Sequence, residues 1–193
     1  MKKTLSIVLA VLLCLTLLAG CGGRESAKTA VTNGMNALIT LDEEGMTKYF
    51  GNDASFSTAF EGQGDSTREM VTQIMGGMTF SIGEVKEDGD TATATVTLTN
   101  KDMSVVMNAF MTNLIGDVMA GNVTEADMTD EKYMQYFADA LTACTDTTSN
   151  EVTLPMSYTK DAGWTITADA ALADAMTGGF LTALSSMSAS FGG

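Results

Sequence analysis

The sequence predicts an α+β fold in which two β-hairpins form one curved antiparallel sheet packed against about five to six helices. Two stretches carry the strands. From Met78 to Leu98, and again from Glu151 to Ala168, apolar and polar residues alternate with period two around turn residues, as in strands with one buried face. Elsewhere the apolar residues recur every three or four positions, the spacing of helices that bury a single stripe.

Residues 1–20 stand apart from that pattern. Lys2 and Lys3 make a short positive start, and Leu5 through Leu18 form an apolar run. The run is too short to cross a bilayer comfortably, for which about 20 apolar residues are needed. Ala19 and Gly20 are the small residues of a cleavage site. Leu18-Ala19-Gly20-Cys21 resembles the lipobox of bacterial lipoproteins. The resemblance implies a signal peptide over residues 1–20, cleavage before Cys21, and a diacylglycerol joined to Cys21 through a thioether. No other cofactor is expected. Two acyl chains are about what stable anchoring requires. The implied location is the extracytoplasmic face of a bacterial cell membrane. Residues 21–26 then form a lipidated tether, and 27–193 a single α+β domain with a helical insertion at about 102–146.

The domain begins with a helix over about Ala27 to Thr40, with Ala27, Val31, Met35 and Leu38 on one face. Asp42 is placed to cap a second, short helix, with Glu43 and Glu44 in its first turn, where the helix dipole favours acids. That helix ends at Tyr49-Phe50-Gly51. Asn52 to Gly64, with Phe56 and Phe60, reads as a loop or irregular helix. Ser66 and Glu69 have capping-box spacing for a third helix through Met70, Val71, Ile74 and Met75, stopped by Gly76-Gly77.

The first hairpin sets Met78, Phe80 and Ile82 against Ala92, Ala94, Val96 and Leu98, around a turn at Asp88-Gly89. Two helices follow. One carries a wide stripe of Met103, Val106, Met107, Phe110, Met111, Leu114, Ile115 and Val118 and stops at Gly121-Asn122. The other carries Tyr133, Met134, Phe137, Leu141 and Cys144. In the second hairpin Val152, Leu154, Met156 and Tyr158 alternate before Lys160 to Gly163, and Trp164 and Ile166 return. Pro155 cannot donate to a ladder, so its strand is expected at an edge or with a bulge. A last helix from about Asp169 carries Leu172, Met176, Phe180, Leu184 and Met187.

The helix pair at the start and the segment "FSIGEVKEDGDTATATVTLTN" resemble small bacterial lipoproteins of the nuclear transport factor 2-like, or cystatin-like, group. "VTLPMSYTKDAGWTITAD" is similar to the closing hairpin of that group. The likeness covers roughly residues 27 to 168. It implies a curved sheet packed on helices, from which the helical pair at 102–146 and the long C-terminal helix depart.

Composition narrows the chemistry. Without Lys2 and Lys3 the mature chain keeps 8 basic residues against 24 acidic ones, a net charge of −16. Such a surface opposes nucleic acid and anionic headgroups, so the lipid must hold the protein at the membrane. Cys14 leaves with the leader and Cys21 is acylated, which leaves Cys144 with no thiol to pair with. The chain has no histidine. Serine or cysteine nucleophiles and zinc sites usually depend on imidazole, and so does the histidine-carboxylate pair of enzymes with the resembled fold. A carboxylate-only mechanism remains, aided by Tyr158 or Tyr133. Glu87-Asp88-Gly89-Asp90 lacks the ligand spacing of a calcium loop and reads as a turn. Asn122-Val123-Thr124 matches a glycosylation pattern that the bacterial address makes irrelevant. The 15 methionines are spread along helix faces, where they fill cores or line adaptable surfaces, and they lack the clustering a soft-metal site needs.

The expectation is a membrane-anchored, non-enzymatic binding module for a small apolar ligand or an envelope protein. Its pocket is expected on the sheet face bearing Phe80, Ile82, Val96, Leu98, Trp164 and Ile166. The alternatives are a carboxylate-dependent enzyme of the same fold and an assembly lipoprotein using the methionine-rich 103–118 helix face.

Overall fold

The computed structural model describes residues 24–51 and 72–191. Helix α1 spans Ala27–Thr40 and α2 Glu43–Phe50, β1 runs Thr79–Asp88 and β2 Thr91–Lys101, and α3 spans Met103–Met119 and α4 Asp130–Ala143. Strands β3 (Thr147–Thr159) and β4 (Gly163–Ile166) precede α5 (Ala170–Met176) and α6 (Phe180–Phe191). The four strands form one antiparallel sheet in the order β1-β2-β3-β4. The predicted α+β class, with one open antiparallel sheet packed against helices, is the observed one. The leader, Cys21, and the expected loop and helix start at 52–71 lie outside the described residues; residues 72–75 are helical.

Local chemistry sets most boundaries. Ser26, Asp102, Thr129 and Asp169 cap α1, α3, α4 and α5 through side-chain oxygens that accept backbone N–H bonds. Asp42 occupies the cap position of α2, yet its carboxylate makes no capping bond. The first hairpin closes at the Asp88↔Thr91 pair over Gly89-Asp90, where Gly89 takes φ +58°.

Period two then decides the faces. Ala92, Ala94, Val96 and Leu98 are all buried, while the intervening threonines face away. Register puts Phe80 opposite Leu98 and Ile82 opposite Val96, with Val152, Leu154, Met156, Trp164 and Ile166 on the same inner face. Helices α1, α2 and α5 cover that face and complete the main core. The inserted pair behaves differently. Helices α3 and α4 form an antiparallel hairpin that leaves the sheet after Lys101 and returns at Thr147. They pack with α6 around a second core of Met103, Val106, Met107, Ala140, Leu141, Cys144 and Ala183.

Three expectations need correction. Only Met103, Val106 and Met107 of the long α3 stripe are buried, and Tyr133 is exposed on α4. One partner layer cannot cover so wide a stripe. The single C-terminal helix is broken at Thr177-Gly178-Gly179, because both glycines adopt positive φ (+64° and +82°) and turn the chain. β1 carries a bulge between Ile82 and Val85. Pro155 lies at an edge, as expected: β3 is third in the sheet, but β4 pairs only with its Met156–Thr159. The Pro155 carbonyl accepts from Thr167 N at 2.8 Å. Its missing N–H therefore points away from β2 and removes no bond from the long β2–β3 ladder.

Cys144 caps α4 at 7% exposure, with its Sγ 3.6 Å from the Asp146 carbonyl. We expect Cys144 of the native protein, with Cys21 blocked or replaced, to resist thiol reagents until the chain is denatured. Rapid stoichiometric labelling of the folded chain would show that this face opens.

Candidate functional site

Two surfaces at opposite ends of the sheet stand out. The first is where the chain enters the domain, at the β1–β2 turn. Arg24 donates to Asp90 Oδ1 at 2.8 Å and to the Gly89 carbonyl at 2.6 Å, and its guanidinium lies 3.9 Å from the Tyr158 ring centre and 4.4 Å from that of Trp164. Trp164 Nε1 donates to the Glu25 carbonyl at 2.8 Å. Ala27 N donates to Glu87 Oε2, and Glu25 Oε1 accepts from Asn33 Nδ2 and Tyr49 Oη. The Tyr49 hydroxyl also accepts from Lys48, whose pKa it raises, with Glu25 adding to the effect. Residues 24–26 are thus fastened to the domain rather than belonging to a free tether. Only Gly22 and Gly23 separate Arg24 from Cys21, a reach of about 10 Å.

The second surface lies at the far end, on α3, α4 and α6. Ile115 (47%), Val118 (50%), Met119 (83%), Leu181 (45%), Leu184 (47%) and Tyr133 (42%) are exposed there. Helix α3 has one charged residue, Asp117, and α6 has none. In a chain this acidic, two nearly uncharged helices side by side make a local break in the charge. At the rim Tyr136 Oη donates to Asp117 Oδ2 at 2.5 Å, and Asn122 Nδ2 donates to Oδ1 at 2.9 Å. Those two bonds hold the Asp117 carboxyl below its ordinary pKa, and the Asp117 partner raises that of Tyr136. The Thr124 hydroxyl and N–H lower Asp127 in the same way.

Between this surface and the sheet runs a cleft of about 520 Å³. Its walls include Met107, Asn108 and Met111 of α3, Met187 of α6, and Thr148 and Asn150 of β3. The six predicted pocket residues are not among them. Val96, Leu98, Trp164 and Ile166 are at most 1% exposed, and Phe80 and Ile82 pack half-buried against them. They share one face, as their register requires, and on that face they are core. A shallower cleft beside α1 and α2, of about 380 Å³, is lined by Asn33, Asn36, Thr40, Asp42, Lys48 and Tyr49 among others.

The residues available for catalysis are scattered. Tyr158 lies under Arg24 and Tyr133 on the outer face of α4, and neither lines either cleft. The Asp102 and Asp174 carboxylates at the larger cleft already accept backbone N–H bonds, at Ser104 and at Leu181 and Thr182. Among the described residues no three Asp, Glu or Cys side chains are grouped to hold a metal ion, and no helix is long and apolar enough to cross a membrane.

Sequence reasoning did not foresee the fastening by Arg24 and Glu25. The available signal was Arg24 itself, one of only 8 basic residues after Lys3 and three positions beyond Cys21. Compared with protein-family models, with curated proteins and with solved structures, the chain matches none.

Proposed function

We propose that this protein is a bacterial lipoprotein, anchored by a diacylglycerol on Cys21 at the extracytoplasmic face of the cell membrane, and that it serves as a non-enzymatic binding module for another envelope protein. The face of α3, α4 and α6 takes the partner. The single observation behind this reading is the uncharged apolar surface of Ile115, Val118, Met119, Leu181 and Leu184, which no described element covers. It is supported by the packed state of the inner sheet face, which favours a partner at the surface over a small apolar ligand inside.

Geometry adds to it. The fastened residues 24–26 hold the β1–β2 turn close to the acylated end. Strand β2, of 11 residues, rises about 3.3 Å per residue and carries α3 to the other end, roughly 35 Å away. A surface so placed is well separated from the anchored end of the domain and open to other proteins of the envelope. Kinship with nuclear transport factor 2-like lipoproteins belongs to the same proposal, supported by the order of a helix pair followed by a hairpin.

The test combines anchor and face. Cys21→Ser should abolish lipid labelling and release the protein or leave it uncleaved. Unchanged membrane partition without an acyl group would end the anchor reading. A photo-crosslinking residue at Val118 or Leu184 of the intact lipoprotein should yield one discrete adduct in whole envelopes, and one at Thr93 on the outer sheet face should not. Adducts should fall at least tenfold when Ile115→Lys is added. Equal adducts from both faces, or none from Val118 and Leu184, would refute the docking surface.

A further inference from the structure

Among the described residues, one edge of the sheet is unguarded. Along β1 the outer edge is broken by the bulge between Ile82 and Val85 and crowded by Glu84, Lys86, Glu87 and Asp88. Such features prevent edge-to-edge pairing. Strand β4 is four residues long. β3 has neither protection over its first half, because β4 pairs with it only from Met156 onward. Its ladder with β2 is regular over eleven successive pairs, Thr91↔Ser157 to Lys101↔Thr147.

Hydrogen-bond parity fixes which groups are free. Tyr158 N donates toward β2, to the Asp90 carbonyl, whereas the Pro155 carbonyl accepts from Thr167 on the other side. Directions alternate along a strand, so the N–H and C=O groups of Thr147, Ser149, Glu151 and Thr153 all point outward. Among the described residues none of these backbone groups has a partner. The run Thr147–Thr153 carries a single charge, Glu151. In its middle Asn150 Nδ2 is buried and without a hydrogen-bond partner, a state native proteins rarely keep.

We infer that this edge pairs with the same edge of a second copy, antiparallel about a two-fold axis at Asn150, so that two sheets become one of eight strands. A two-fold axis makes the contact self-complementary. With Asn150 opposite Asn150, Ser149 meets Glu151 and Thr147 meets Thr153, and all four outward residues are paired. That gives about eight backbone hydrogen bonds across the two copies. Each Asn150 side chain comes to lie beside its copy across the axis. Shifting the register one way sets Glu151 against Glu151, where like charges repel, and Thr147 against Pro155, which cannot donate. Shifting it the other way leaves Thr153 unpaired.

The larger cleft borders Thr148 and Asn150, so the two clefts adjoin at the axis. Because β3 and its copy run antiparallel, the two chain entries lie at opposite ends of the paired sheet, and both anchors reach one membrane when that sheet lies along it. That last point rests on the anchor reading; the pairing itself does not, nor does it depend on the α3–α6 docking face. The high negative charge weakens association in solution, and confinement to a membrane raises the effective concentration.

The test is disulfide trapping in the full-length, membrane-bound protein. Under mild oxidation Asn150→Cys should give at least tenfold more linked dimer than Thr148→Cys, because residue 148 faces residue 152 of the other copy. The double variant Thr148→Cys/Val152→Cys should restore the link, and it keeps the test valid if Asn150→Cys folds poorly. Dimer from both registers, or equal linking by the single Thr148→Cys, would overturn the proposal. So would absence of dimer while the Ser149 and Glu151 amides are protected from hydrogen exchange, since some other strand would then hold the edge.

Discussion

Trp164→Ala is expected to lower the stability of the domain by about 3–5 kcal/mol, the range for emptying a large aromatic site in a packed core. Domains of this size are stable by roughly 5–15 kcal/mol in total. The ring is 1% exposed and meets Tyr158 edge to face, with centres 5.5 Å apart. Its Nε1 holds the Glu25 carbonyl and its face supports Arg24. The substitution therefore removes apolar contact and also one side of the fastening at the chain entry. Urea unfolding followed by far-ultraviolet circular dichroism measures the loss.

A second readout separates the two roles. Trp164→Phe retains most of the ring contact but not the hydrogen bond, and should cost about 1 kcal/mol. Both variants should make the Arg24–Glu25 bond more open to trypsin, since each frees the Glu25 carbonyl. A stability loss under about 1 kcal/mol for Trp164→Ala would mean that the residue is not core, against its observed burial.

How far the sequence led can be traced element by element. Strand faces were legible because period two leaves no choice: once Val96 is inward, Ala92, Ala94 and Leu98 follow, and register brings in Phe80 and Ile82. Caps were less legible: Asp42, read as one, makes no capping bond, whereas Ser26 and Asp169, which the sequence did not single out, bond to N–H groups three residues on. The α3 stripe misled because apolar spacing states which residues can be buried, not how many neighbours arrive to bury them. Helix α3 meets α4 and α6 near its start, and Ile115, Val118 and Met119 run past that contact. The proposed pocket had the same origin. Inward phase on a sheet is common to cavity walls and to packed cores, and only the covering helices α1, α2 and α5 distinguish them.

Asn100 shows the opposite failure. It is 1% exposed, donates to the carbonyls of Ile74 (2.9 Å) and Met176 (2.6 Å), and accepts from Lys101 N. It ties the helical turn at 72–75 and the end of α5 to β2. Nothing in its spacing set it apart from a polar residue at a strand end, because the partners are backbone groups far away in sequence.

Gly178→Ala should be as damaging as the loss of Trp164, and for a reason that its neighbour can isolate. Gly178 and Gly179 both take positive φ, at +64° and +82°. An L-residue in that region costs about 1–2 kcal/mol at either position. The surroundings differ. A Cβ on Gly179 would meet nothing within 4 Å, whereas one on Gly178 would overlap the Lys101 carbonyl oxygen, a backbone atom that no side-chain rotation can move aside. The Gly178 carbonyl also accepts from Met103 N at 3.0 Å, where α3 begins. Relieving the overlap must therefore push the α5–α6 turn off the β2–α3 junction and loosen both cores at their seam. Overpacking adds about 1–3 kcal/mol to the conformational cost. We expect Gly179→Ala to lose about 1–2 kcal/mol and Gly178→Ala about 2–5 kcal/mol, read as separate urea midpoints at unchanged slope. Equal losses at the two positions would mean that the turn does not rest on the Lys101 carbonyl, and that α6 is held to the sheet by some other contact.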